Sequence, residues 1–177
     1  MGIKQQLLNM IKNETSVLVQ NTLVSLVSLL GSQLLPKGEW NELFPLMFEL
    51  TKSPEAFHRT ITLDLFGELA SLLGCEPFHP YLSAIKGILI DGLNFKSDLK
   101  VRVAALNATS DFLSVMNGDA SQNQFRDVLP LILECISACL NAQDETSAKD
   151  ALNTISAMAD DSPLFFKPFL SQITGII

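Results

Sequence analysis

Side chains suited to acid–base, thiol or metal chemistry are few in this chain of 177 residues: two histidines, His58 and His79, and three cysteines, Cys75, Cys135 and Cys139. Neither histidine stands at a spacing from cysteines or carboxylates that resembles a zinc or catalytic motif. Cys135 and Cys139 lie one helical turn apart, which suits metal ligation, yet no second pair accompanies them. All three thiols, Cys75 included, are expected to pack as small hydrophobes. Gly67, Gly74, Gly87 and Gly92 form no phosphate-cradling loop, and no serine sits in a nucleophile-elbow context. The residues point away from catalysis, a resident metal or a cofactor.

Ionic recognition is better represented. Asn21, Asp64, Asn107 and Asp150 recur at a spacing of 43 residues, and Ser25, Glu68, Asp111 and Thr154 recur in the same phase one helical turn later. These eight positions hold four carboxylates and no cation. Such a stripe attracts basic ligands at long range without naming one. On a helix turning by about 100° per residue, Ile61, Leu65, Leu69 and Leu72 fall on an apolar arc, and Thr60, Asp64, Glu68 and Ser71 fall on a polar one. Any solvated helix carries acids, so the weight rests on the alignment of the row across repeats.

The spacing defines the elements that carry the row. Gly31, Gly74, Asn117 and Asp160, each 43 residues after the last, follow apolar runs such as Leu26, Leu29 and Leu30. The first three are expected as left-handed C-terminal caps, whereas Asp160 fits that role less well. Leu18, Ile61, Ala104 and Ser147 share one core position of a second helix, and Thr22, Leu65, Ala108 and Ala151 share the next. In the first helices, Ile3, Leu46, Leu89 and Ile132 align, as do Leu7, Leu50, Leu93 and Ile136. Between the two helices lie short polar turns, Asn13-Glu14, Ser53-Pro54, Lys96-Ser97-Asp98 and Gln143-Asp144, where Asp98 or Asp144 can cap the following helix. The reading is an all-α superhelix, a HEAT-repeat solenoid of about four two-helix units with approximate bounds 3–35, 39–76, 78–118 and 121–161 and the start of a fifth at 162–177. Polar terminal caps are lacking, and core residues Ile3, Leu7, Leu8, Ile173, Ile176 and Ile177 stand at the two ends. A piece of a longer solenoid is therefore expected.

Composition supports a binding role. Nineteen acids against twelve bases give a net charge of −7, and residues 103–177 alone hold nine acids and three bases. This balance disfavours nucleic acid and anionic membranes and favours basic partners. The apolar stretch Val17 to Leu35 is broken at helical spacing by Gln20, Asn21, Ser25, Ser28 and Gln33, as expected of a packed amphipathic helix rather than a membrane span. Trp40, Phe44, Phe78, Phe125, Phe165 and Phe166, ahead of Pro45, Pro80, Pro130 and Pro168, read as packing at helix entries. They could also contribute to pockets between first helices on the convex side.

The run Val17–Leu34, the segment Trp40–Pro45 leading into Leu46-Met47-Phe48-Glu49-Leu50, the run Lys100–Leu106, and Ser147–Pro168 with Asp160-Asp161-Ser162-Pro163 resemble the importin-β, or karyopherin-β, superfamily of transport receptors. They are most similar to the N-terminal repeats of its importin-four and importin-five branch. The resemblance implies a nuclear import receptor that binds basic cargo and Ran-GTP on its concave face and Phe-Gly nucleoporins on its convex face. It implies residence in cytoplasm and nucleus and at the nuclear pore. Set against the family pattern, the resemblance implies that the very first repeat or two, and many later ones, are missing from this chain. Phosphatase scaffolds and condensin subunits share HEAT units, so a scaffold subunit of an enzyme or chromatin complex is the alternative.

Overall fold

The computed structural model describes residues 2–75, 78–116 and 122–167. Its helices are α1 (Ile3–Asn13), α2 (Val17–Leu34), α3 (Leu43–Leu50), α4 (Ala56–Glu68), a short continuation α5 (Ala70–Leu73), α6 (His79–Leu93), α7 (Leu99–Val115), α8 (Leu129–Asn141), α9 (Glu145–Asp161) and α10 (Pro163–Phe166). Among the described residues there is no strand. Helices α1/α2, α3/α4, α6/α7 and α8/α9 form four hairpins of an all-α HEAT-type solenoid. The second helices touch in succession, α2 to α4, α4 to α7 and α7 to α9, while α1 meets α3 and α6 meets α8 in the layer of first helices.

Local chemistry explains the boundaries. Asp98 accepts a bond from the Lys100 amide at 2.8 Å, and Asp144 accepts from the amides of Thr146 and Ser147 at 3.1 and 3.3 Å, so both aspartates cap their helices as expected. Pro80, Pro130 and Pro163 occupy first turns, where a missing N–H costs nothing. The expected left-handed caps are corrected: Gly31 lies inside α2, and Gly74 does cap α5 but in the right-handed conformation at φ −73°; Asp160, the poorer fit, lies inside α9. Gly31 serves close packing instead, since a Cβ there would sit 3.3 Å from Leu43 and 3.5 Å from Leu69. Among the described residues the glycine with positive φ is Gly38, at 68° in the link between the first two hairpins. Asn117 lies outside the described residues. Leu69, at φ −92° and ψ 3°, interrupts the second helix of the second hairpin for one residue.

The repeat phase carries the core. Leu46, Leu89, Ile132, Leu7, Leu50, Leu93 and Ile136 are buried in the first helices, as are Ile61, Ala104, Ser147, Leu65, Ala108 and Ala151 in the second. The first hairpin breaks the pattern. Leu18 is 79% exposed and Thr22 is exposed, because the face that α4 and α7 turn towards the preceding hairpin has, among the described residues, no helix against it in α2; Ile3, at the start of α1, is 67% exposed. Leu7 and Leu8, by contrast, are covered, with α1 packed on α2 and α3. Residues Ile173, Ile176 and Ile177 lie outside the described residues. The segment Val17–Lys37 is long and apolar enough to cross a membrane, but here it packs on α1 and α4 with Leu23, Val24 and Val27 buried.

Polar contacts tie hairpin to hairpin. Nε2 of His58 donates to the Lys12 carbonyl at 2.9 Å, which leaves Nδ1 to accept from the Ser53 hydroxyl at 2.7 Å. His79 approaches the Gly74 carbonyl at 2.9 Å, so both histidines serve the repeat structure. Lys12–Glu49, Lys86–Asp127 and Lys96–Glu134 bridge successive hairpins at 3.5, 2.7 and 3.5 Å. Cys135 and Cys139 pack in the core as free thiols, whereas Cys75, expected to pack likewise, is exposed just past the end of α5, with its thiol turned back to the Ser71 carbonyl. The Cys135 thiol is held well above its usual range, first by the hydrogen bond that it makes with Cys139 and then by burial.

Two glycines of α6 test the packing with opposite signs. A Cβ at Gly92 would meet the Ala105 Cβ at 2.7 Å and Leu63 at 3.2 Å, so α6 and α7 would have to separate. A Cβ at Gly87 meets nothing within 4 Å. Gly87→Ala is expected to stabilise the chain by roughly 0.5–1 kcal/mol, the helix-propensity difference. Gly92→Ala gains the same propensity, but overpacking costs about 1–3 kcal/mol, leaving a net loss. Urea titrations followed by circular dichroism read both, and a stabilised Gly92→Ala would refute the close approach.

Candidate functional site

The row of eight positions lies on one face of the second-helix layer. Asn21 and Ser25 stand on α2, Asp64 and Glu68 on α4, Asn107 and Asp111 on α7, and Asp150 and Thr154 on α9. Consecutive contacts among these helices bring side chains from separate repeats into shared depressions. One, of about 340 Å³, is lined by Asn21, Ser25, Asp64, Glu68, Asn107 and Asp111. A neighbour of about 350 Å³ takes Asn107, Asp111, Asp150 and Thr154. A longer trough of about 810 Å³ runs past Asn21, Asp64, Asn107 and Asp150 towards the N-terminal ends of the second helices. All eight expected residues thus border one groove of adjoining depressions that share lining residues, its carboxylates set among apolar side chains such as Val17, Phe57 and Val103.

Some of them are already engaged. The Thr154 hydroxyl donates to Asn107 Oδ1 at 2.6 Å, tying α9 to α7 across the groove floor. The Ser25 hydroxyl turns back to the Asn21 carbonyl at 3.2 Å. The carboxylates differ, since among the described residues none of Asp64, Glu68, Asp111 or Asp150 joins an ion pair. Gly67 permits their close approach, as a Cβ there would lie 2.5 Å from Asp111 Oδ2 and 3.2 Å from the Ala108 Cα.

Crowding shifts their protonation. Asp64 is pushed up to about 6, first by burial, then by the negative charge of Glu68 and of Asp111. Asp111 is pushed up to about 6 by burial and by Glu68. A carboxyl group whose folded value lies above its unfolded value binds protons more tightly when folded. Its unfavourable contribution is fully present above about pH 6 and is relieved as pH falls towards the unfolded value near 3.8. Thermal melts should therefore show Asp64→Asn more stable than the parent at pH 7.5, with the difference shrinking by pH 5. An equal difference at both values would refute the crowded cluster.

The row as read from sequence omits several groove residues. Lys100 lines the trough, two helical turns before Asn107 on the same face of α7, and it is a cation among the acids. Asp98 and Asp144 stand at the trough's edge, anchored by their capping bonds. The Ser147 hydroxyl and amide hold Asp144 below the usual carboxylate range, so its charge persists at mildly acidic pH. Helical phase counted two turns further back would have found Lys100.

Comparison with known proteins places the chain in a family. A family model described as IPO5-like, TPR repeats, matches residues 14–176. The period of 43 residues exceeds the 34 of a tetratricopeptide unit, so that description names the stacked hairpins rather than their length. A probable importin-5 homolog from Dictyostelium discoideum is 24% identical over 172 residues, which cover 97% of this chain and 16% of that protein. The chain thus spans about a sixth of the relative's length. The family match extends from the turn after α1 through all the later hairpins, and the chain belongs to the IPO5-like repeat family of the importin-β superfamily.

Proposed function

We propose that the chain is the part of a nuclear import receptor that engages basic cargo and Ran-GTP through its concave groove. The observation that carries this reading is the set of carboxylates on three successive second helices, unpaired among the described residues and bordering one groove. Lysine and arginine side chains of a partner would supply the missing counter-charges, and the fixed spacing of the rows would favour an extended basic segment. In this reading the protein moves between cytoplasm and nucleus through the nuclear pore.

Passage through the pore would use the opposite side. Between the first helices α3 and α6, a pocket of about 400 Å³ is walled by Phe44, Phe48, Phe78 and Tyr81. Phe44 stacks on Tyr81 at 5.5 Å and tilts against Phe78 at 5.8 Å. Trp40, Phe125, Phe165 and Phe166 are buried packing residues, whereas Phe44 and Phe78 both pack and line this pocket. A phenylalanine ring of a Phe-Gly nucleoporin repeat would enter edge-on among these rings.

The deciding experiment titrates the full-length parent protein with Ran loaded with GTP or GDP. A preference of at least roughly tenfold, about 1.4 kcal/mol, for the GTP form is expected. Equal affinity, or recovery from extract of stable subunits insensitive to Ran-GTP, would favour a HEAT scaffold of an enzyme or chromatin complex instead.

A further inference from the structure

Behind the acidic groove, on the opposite faces of α4 and α7, a separate cavity of about 250 Å³ opens beside the turn that joins α3 to α4. Leu63, Gly92 and Val101, all buried, and the half-buried Ile88 make its inner wall apolar, while Thr51, Asp91 and the cations Arg59 and Lys52 make the remainder polar. In a chain of net charge −7, two cations against one acid, Asp91, around this hollow run against the overall balance.

Arg59 is held in a fixed pose. Its Nε donates to the Ser53 carbonyl at 2.7 Å, and its guanidinium carbon lies 4.6 Å from the centre of the Phe95 ring. These contacts orient the guanidinium plane, and its two terminal nitrogens have no acceptor among the described residues. A planar fork with free donors is suited to bidentate capture of a carboxylate. Gly92 keeps the hollow's wall at backbone level, where α6 presses on Ala105 of α7.

We propose that this cavity is a docking site for a partner segment in which an apolar side chain stands next to a carboxylate. The apolar chain fills the hollow against Leu63 and Val101, and the acid meets Arg59 and Lys52. Size favours a single side chain, because the volume falls below the roughly 300–1,000 Å³ typical of small-molecule sites. Asp91 on the rim opposes a bare anion and accommodates the backbone N–H groups of a peptide. The site does not depend on the groove reading, since it would take an acidic segment where the groove would take a basic one.

The test is an NMR titration of the isotopically labelled 177-residue chain with the capped tetrapeptide Gly-Asp-Leu-Gly. Saturable shifts are expected at the amides of Leu63, Gly92 and Val101, with the roughly millimolar Kd of a one-side-chain contact. The peptides Gly-Asn-Leu-Gly and Gly-Asp-Ala-Gly should each bind about tenfold more weakly. Lys52→Glu, at an exposed rim position, should weaken binding about fivefold or more, and Arg59→Gln should abolish it. If Arg59→Gln disturbs the packing against Phe95, the comparison of Lys52→Glu with the parent decides alone. The assignment is overturned by the absence of saturable shifts at about 10 mM peptide, by equal binding of the asparagine peptide, or by unchanged affinity in Lys52→Glu.

Discussion

Phe112→Ala is expected to destabilise the chain by about 3–5 kcal/mol, the usual cost of deleting a buried aromatic ring. Phe112 is fully buried on α7, the helix that touches α4, α5, α6, α8 and α9. A cavity there would loosen the hairpins on both sides at once. Since small domains are stable by only about 5–15 kcal/mol, much of the total would be lost. Leu26→Ala provides the control, because Leu26 occupies the same position of the repeat two units earlier and is 42% exposed. Its loss should amount to less than about 1 kcal/mol. Urea midpoints for the two variants would separate a chain stabilised by contacts between neighbouring hairpins from one in which each repeat contributes alike. Similar losses would contradict the stacking order.

The same pair of residues shows what the sequence could and could not reveal. The period of 43 residues, the polar turns and the capping aspartates Asp98 and Asp144 were legible because they are local or repeat along the chain. Exposure of Leu18 and Leu26 was not, because burial of a repeat position depends on whether a helix lies beside it. A glycine at constant phase was misleading in a different way. It marks either a left-handed end or a close helix crossing, and only the short distances from Gly31 to Leu43 and Leu69 tell them apart. For the groove, the register of eight residues followed from helical geometry, since carrying Asp64 and Glu68 forward by one period reaches the same face of α7. The raised protonation of Asp64 and Asp111 was out of reach, because it arises first from burial in the packed layer of second helices and only then from the neighbouring charges of Glu68 and, for Asp64, of Asp111.

Reversing charge in that groove should have the second large effect. Asp64→Lys combined with Glu68→Lys turns two potential anions into two cations beside Asp111. With about 1 kcal/mol per close charge pair even in water-like surroundings, a lysine-rich peptide should bind on the order of 100-fold more weakly at low salt. The difference should shrink as ionic strength rises and the screening length falls below about 10 Å. Glu39→Lys with Glu42→Lys, both exposed on the link between the first two hairpins, changes net charge by the same amount away from the groove. That control separates local recognition from overall attraction, and it should retain most of the affinity. The parent should also weaken as pH falls through about 6, where Asp64 and Asp111 take up protons and cease to attract cations. The reversed variant, with no carboxylate at position 64, should show a shallower pH response. Unchanged peptide binding in the groove variant, with the control behaving alike, would mean that the acidic rows are an ordinary solvated face and that basic partners are recognised elsewhere.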